Sequence, residues 1–311
     1  MLDYRSSKYD VTNLVDTTNA GSVSFHIAQI YGELYQREFP TDMLRVFADI
    51  GRLYRGEYPG YHACETDYHD IQHILEVTLA MSRLMDGCVR AVGPAVMNER
   101  LFRLGIVSAL LHDIGYLRRL DDTEKQHGAE YTRTHVGRGA DFIAWYLPSV
   151  GLGDLAGTAA RIVHFTGYEI PASQIQIEPQ YHMVGNLLGS ADILAQMADR
   201  CYLEKCRDRL YPEFVLGGIA RQTDEQGGEK VIFASPADLI FKTPGFFKSA
   251  HKRLEEDLGG VYRYVDKHFK GDNLYYNETR KNINYASAIA GSGDISLLRR
   301  HLPDYRLDEA G

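Results

Sequence analysis

The chain has 311 residues, an ordinary globular composition with 44% hydrophobic side chains, and a formal net charge of −8. That length can bury a large core, and the acidic balance argues against a broad basic surface for non-specific nucleic-acid binding, while still permitting an anionic substrate recruited by local cations. The first thirty residues lack a basic segment followed by an apolar one, and apolar runs such as LGIVSALL fall far short of the roughly 20 residues needed to span a bilayer, so no membrane partner is expected. Cys64, Cys88, Cys201 and Cys206 form no CxxC pair, which fits reduced thiols in a cytoplasmic protein.

Along the chain, helical periodicity dominates. SFHIAQIYGELYQ and DMLRVFADIGRLYRG repeat apolar residues every three to four positions, with Thr41 expected as an N-cap after Pro40. Tyr68 to Met85 continues the pattern, with Ile71, Ile74, Leu75, Leu79 and Leu84 on one side. ERLFRLGIVSALLHD is apolar almost all round, the mark of a central buried helix. Further helices are expected at GAEYTRTHVGRGADFIAWYL, LAGTAARIVHF and GNLLGSADILAQMADRCYLEKC. LGGIARQTDEQGGEKVIFASP, rich in glycine and charge, reads as a mobile loop closing into a short hairpin around Val231 to Phe233. Helical character returns in FFKSAHKRLEEDLGGVYRYVDKHF. With no internal repeat and no long linker, residues 1–311 are expected to form one mostly helical unit.

The residues able to hold a metal sit inside these apolar stretches. They are His73, His112 with Asp113 at the end of SALLHDIGY, His135 in RTHVGRGADFIAWYL, His164 in RIVHFTGYE and Asp192 in LLGSADILAQM. A single buried histidine is more often a hydrogen-bonded core residue. Six such groups facing one interior would be costly to desolvate unless a cation compensates them together, and the core of a helical bundle is a usual place for that. The segment DYHDIQHILEV adds His69, four residues before His73 and therefore on the same face of a helix, about 5–6 Å away at Cβ. His127 competes with His135, but its charged neighbours favour an exposed position. Arg138, one turn from His135, is a candidate to reach an anionic substrate. The 21 tyrosines are expected in the core and at its rim, and the remaining histidines have no partner that the sequence names.

At this point a resemblance becomes specific. Adjacent His112-Asp113 after an apolar helix, with an upstream histidine and a downstream aspartate, resembles the HD superfamily of metal-dependent phosphohydrolases. The resemblance implies an all-α, phosphodiesterase-like helical bundle, with its catalytic core at about residues 60–205 and helical extensions on both sides, the C-terminal one at about 206–311. It implies that His73, His112, Asp113 and Asp192 hold one metal, and that His135 and His164 complete a second site bridged by Asp113. YHDIQHILEV also resembles the YHNxxHxxxV motif of cyclic-nucleotide phosphodiesterases, which makes His73 a ligand and His69 the general acid. The match departs at Asp70, where that family has asparagine, and HDIGYL lacks the histidine of HDxxHxG. HDIGY is similar to the HD-GYP cyclic-di-GMP phosphodiesterases as well, but Tyr116 stands where that family has lysine. In that family a metal-binding glutamate sometimes takes the place of His69, which leaves ligation open for His69.

The function expected is hydrolysis of a phosphoester, most of all a phosphodiester such as a cyclic nucleotide, by a water activated between two divalent metals. His69, charged beside Asp67 or Asp70, would protonate the leaving oxygen. The mixed ligands admit manganese, iron, zinc, nickel or magnesium. One rival shares the ligand string: a di-iron oxygenase of the HD fold, resembling myo-inositol oxygenase. Another is a non-catalytic nucleotide sensor. His69 favours hydrolysis over the first, and the full ligand set argues against the second.

Overall fold

Short polar side chains open three of the helices in the first half of the chain. In the computed structural model, which describes residues 5–223 and 228–302, Asn19 accepts from the Ser22 N–H and starts α1 (Ala20–Tyr35). α2 (Thr41–Arg55) begins differently: Pro40 takes the cap position without a side-chain bond, so Thr41 is the first helical residue and not the cap. Asp70 accepts from His73 N–H to start α3 (Ile71–Val92), and Asn98 accepts from Leu101 N–H to start α4 (Glu99–Leu111). The helix expected from Gly128 onward divides into a 3-10 turn, Gly128–Tyr131, and α5 (His135–Ser149). α6 (Gly153–Ile162) runs into a 3-10 turn at Val163–Phe165, and α7 (Pro179–Ala198) starts on a proline at its first position.

Beyond α7 the chain becomes irregular. α8 (Tyr202–Lys205) continues through a π-helical turn, Cys206–Leu210, into α9 (Tyr211–Leu216). Pro212 lies just past that turn; it has no N–H to donate, and its ring crowds the carbonyl four residues back, so the hydrogen-bond ladder widens here. β1 (Arg221–Thr223) pairs antiparallel with β2 (Glu229–Val231). A hairpin therefore forms, but its second strand ends at Val231, and Ile232 and Phe233 instead donate their N–H groups to the Ala220 carbonyl. Residues 224–227 of the expected loop lie outside the described residues. α10 (Pro236–Lys252) is capped by Ser235, and after α11 (Val265–His268) comes α12 (Leu274–Ser292). α12 falls within the expected C-terminal helical extension, although no periodic segment marked it out as a helix of its own; Asn273 caps one end and Gly293, at φ 68°, closes the other.

α3 is the axis of the fold. It is buried from Ile71 through Cys88 on nearly every side and packs against α1, α4 and α7. A large apolar cluster joins α1 to α7, and a second gathers Phe165, Tyr202, Leu210, Leu239, Phe247, Leu254 and Ile289 around α10 and α12. The N-terminal segment is pinned to α3 by an ion pair in the interior: Arg83, fully buried, reaches Asp10 Oδ2 at 2.5 Å and the Tyr275 hydroxyl at 3.1 Å. Among the described residues no helix is long and apolar enough to cross a membrane, and all four cysteines are unpaired.

Candidate metal centre and its cavity

Three helix ends and one helix interior bring the polar residues together. His73 lies in the first turn of α3, His112 caps the end of α4 and Asp113 follows it, His135 is the first residue of α5, and Asp192 faces in from α7. His73 Nε2 is 3.4 Å from Asp113 Oδ2, from Asp192 Oδ1 and from His112 Nε2. Asp113 Oδ2 is 3.2 Å from His112 Nε2, while its other oxygen, Oδ1, is 3.4 Å from His135 Nε2. Gly115 makes the approach of α5 possible, because any Cβ there would collide with the His135 carbonyl.

Hydrogen bonds at the outer nitrogens orient the rings. His112 Nδ1 donates to the Ala109 carbonyl and His135 Nδ1 to the Thr132 carbonyl, each at 2.7 Å, which aims both Nε2 atoms at the centre. Burial works against a charged His73, yet its hydrogen bonds with Asp113 and Asp192 raise its pKa to about 10. Burial also pushes Asp113 upward, but the charge and hydrogen bond of His112, with further bonds from His135 and His73, hold it well below the usual carboxylate range. Asp192 is lowered in the same way, chiefly by His73 against the cost of burial. Two ionised carboxylates in a site this dry require compensating positive charge, which protons on the imidazoles or a divalent cation can supply. The ligand atoms of His73, His112 and Asp192 all lie within 4.8 Å of one another. This set of imidazole and carboxylate donors fits a first-row divalent ion.

The remaining candidates are placed differently. His69 precedes α3, so it does not share a helical face with His73; Asp70 between them is the cap. The two rings are nevertheless close, with centroids 5.8 Å apart. The partner of His69 is neither Asp67 nor Asp70 but Glu213 on α9, a residue the sequence did not single out. Glu213 Oε2 accepts from His69 Nδ1 at 2.5 Å, and Oε1 accepts from the Tyr68 N–H at 2.6 Å. Asp70 is instead paired with Arg209, at 3.2 Å. The Tyr116 ring lies nearly parallel to both imidazoles, 4.4 Å from His69 and 4.3 Å from His135.

His164 is paired with Glu169 and makes no ion pair with Asp113 or Asp192. It lies in the 3-10 turn after α6, where Val163 and Phe165 are fully buried, and its Nδ1 bonds to Glu169 Oε1 at 3.0 Å. Glu169, not His164, lines the cavity. Arg138 is not among the residues that line the cavity: it donates to the Gly115 and Leu117 carbonyls and stacks over the Tyr131 ring at 3.5 Å. These bonds tie α5 to the loop after Asp113. His127 caps the 3-10 turn before α5 by accepting from the Ala129 N–H.

The centre opens into a cavity of about 750 Å³, within the usual range for small-molecule sites. His69, His73, Asp113, His135 and Asp192 form one end, and the C-terminal part of the chain supplies much of the other. Compared with models of protein families, with curated proteins and with solved structures, the chain matches none.

Proposed function

We propose that this chain is a metal-dependent phosphohydrolase acting on a phosphodiester. The observation that carries the reading is the combination, in one cavity, of a His/His/Asp cluster fit for a cation and a histidine outside that cluster backed by a buried carboxylate. Bound at His73, His112, Asp113 and Asp192, a divalent cation supplies Lewis acidity toward phosphoryl oxygens and lowers the pKa of an attacking water. A second ion is part of this reading. It is supported by Asp113, which turns one oxygen toward His73 and His112 and the other toward His135.

The chain's own groups do the rest. Glu213 holds His69 Nδ1, which leaves Nε2 as the atom that passes a proton to the leaving oxygen. Tyr116 keeps the His69 and His135 rings in place by stacking on both. A supported proton donor outside the ligand cluster favours hydrolysis over dioxygen chemistry, which has no leaving group to protonate.

The test is hydrolysis of bis(p-nitrophenyl) phosphate by the full chain loaded with Mn²⁺ or Zn²⁺, with metal content measured by elemental analysis. Asp113→Ala should lose activity and bound metal together. Near-normal metal in that variant, or no turnover by the parent with any divalent ion, overturns the proposal.

A further inference from the structure

The far end of the cavity has a chemistry that the metal centre does not explain. Phe214 and Phe233 stack there, with centroids 5.7 Å apart and planes 23° apart, and Tyr202 and Phe246 stack similarly at 6.2 Å and 25°. Leu210 and Leu239 complete the wall. These residues come from four separate pieces of the chain: α8 and its π turn, α9, the strand-to-helix connection after β2, and α10. Two of the polar side chains among them already have partners in the protein. The Thr243 hydroxyl donates to the Leu239 carbonyl at 3.0 Å. The Lys242 ammonium is tied to the Ile232 carbonyl at 2.7 Å and to Asp238 at 2.8 Å.

An apolar group entering this end gains burial against stacked rings, with Lys242, 5.5 Å from the Phe233 ring and half exposed, as a cation beside it. A nucleobase would give up its hydrogen bonds with water and recover stacking alone, and unpaired polar edges are what such a wall rejects. We infer that the cavity takes a phosphoester whose other half is a bulky apolar alcohol, with the phosphoryl group at the histidine–aspartate end and the hydrocarbon against Phe214, Phe233 and Phe246. This rests on the phosphohydrolase reading for the phosphoryl end only.

The experiment is calorimetric titration of the Mn²⁺-loaded full chain with alkylphosphonates from methyl to octyl, which cannot be hydrolysed, and with a phosphonate analogue of adenosine monophosphate. Affinity should rise with each methylene, up to about fourfold per group, until the apolar end is filled, and octylphosphonate should bind more tightly than the adenosine analogue. Phe246→Ala should lower the octyl-to-methyl affinity ratio by tenfold or more. Phe246→Leu, which keeps the apolar volume, should restore most of it. A Kd that does not change from methyl to octyl, or tighter binding of the adenosine analogue, overturns the inference. The phosphoryl reading fails separately: methylphosphonate would then bind equally with and without Mn²⁺, while a surviving chain-length dependence would still support the apolar end.

Discussion

Replacing Glu213 by glutamine tests the proton donor without changing its shape. The Glu213 side chain is almost wholly buried, and each of its oxygens accepts one hydrogen bond, from the Tyr68 N–H and from His69 Nδ1. Glutamine keeps one oxygen. The backbone donor of Tyr68 cannot move, so that oxygen stays with it and the amide N–H₂ is left facing His69 Nδ1. A ring protonated on both nitrogens then meets a donor where it had a carboxylate. The loss is one charge-assisted hydrogen bond, about 1.5–3 kcal/mol, which corresponds to a fall in kcat of roughly ten- to a hundredfold on an alkyl phosphodiester. On a p-nitrophenyl diester, whose leaving group needs little protonation, the fall should be much smaller, and KM and metal content should stay near those of the parent. The double variant Glu213→Gln/His69→Ala should be no slower than His69→Ala alone, because Glu213 acts through His69. Equal losses on both esters, or a further full loss in the His69→Ala background, would refute the reasoning.

His135→Ala should reduce bound metal, measured by elemental analysis, whereas His127→Ala should leave it intact and cost about 1 kcal/mol of stability for the lost cap; the reverse pattern would reassign the ligand. His69→Ala should keep its metal while losing about 10²–10⁴-fold on an alkyl diester, and metal loss there would make His69 a ligand. Asp10→Asn leaves Arg83 buried without its counter-charge and should cost about 3–5 kcal/mol in urea unfolding at neutral pH. Burial pushes the Asp10 carboxyl up but Arg83 outweighs it, so its pKa is lowered from 3.8. The contribution of Asp10 is thus fully present above that value and is lost as pH falls through the folded pKa. The gap between variant and parent should therefore shrink in unfolding measurements below about pH 3.8, and a gap independent of pH would refute the ion-pair account.

The ligand-type residues were legible because each stands out against its surroundings. His112 and Asp113 end a run that has no other reason to carry charge, and Asp192 interrupts the apolar stretch LLGSADILAQM. His164 looked equivalent, lying between Val163 and Phe165, but α6 ends at Ile162 and the tighter 3-10 turn sends the two apolar neighbours inward and the histidine toward Glu169. Spacing alone misled for His69. Four residues imply one helical face only if the helix has already begun, and Asp70 is a strong enough cap to start it later. Glu213 left no local trace: it sits 144 residues from His69 in RLYPEFVLGG, and only tertiary packing pairs them. Within the helical extension, α12 could not be delimited because its sequence is too polar to show an apolar stripe and is buried mainly through Tyr275, Thr279, Asn282, Ala286 and Ile289.

The π turn at Cys206–Leu210 has a consequence for how this chain tolerates insertions and deletions. The Tyr211 N–H reaches back five residues to the Cys206 carbonyl, so the segment holds one residue more than an α-helical path between the same ends. Removing one of those five would let the ladder close to ordinary α-helical spacing between the same ends, so the residues that follow would keep their direction. Glu213 would stay opposite His69 and Phe214 in the cavity wall, whereas a deletion within a regular helix such as α3, which has no extra residue to absorb it, would turn everything after it by about 100° around the helix axis. A single-residue deletion inside the π turn should therefore be better tolerated by the chemistry than one inside α3.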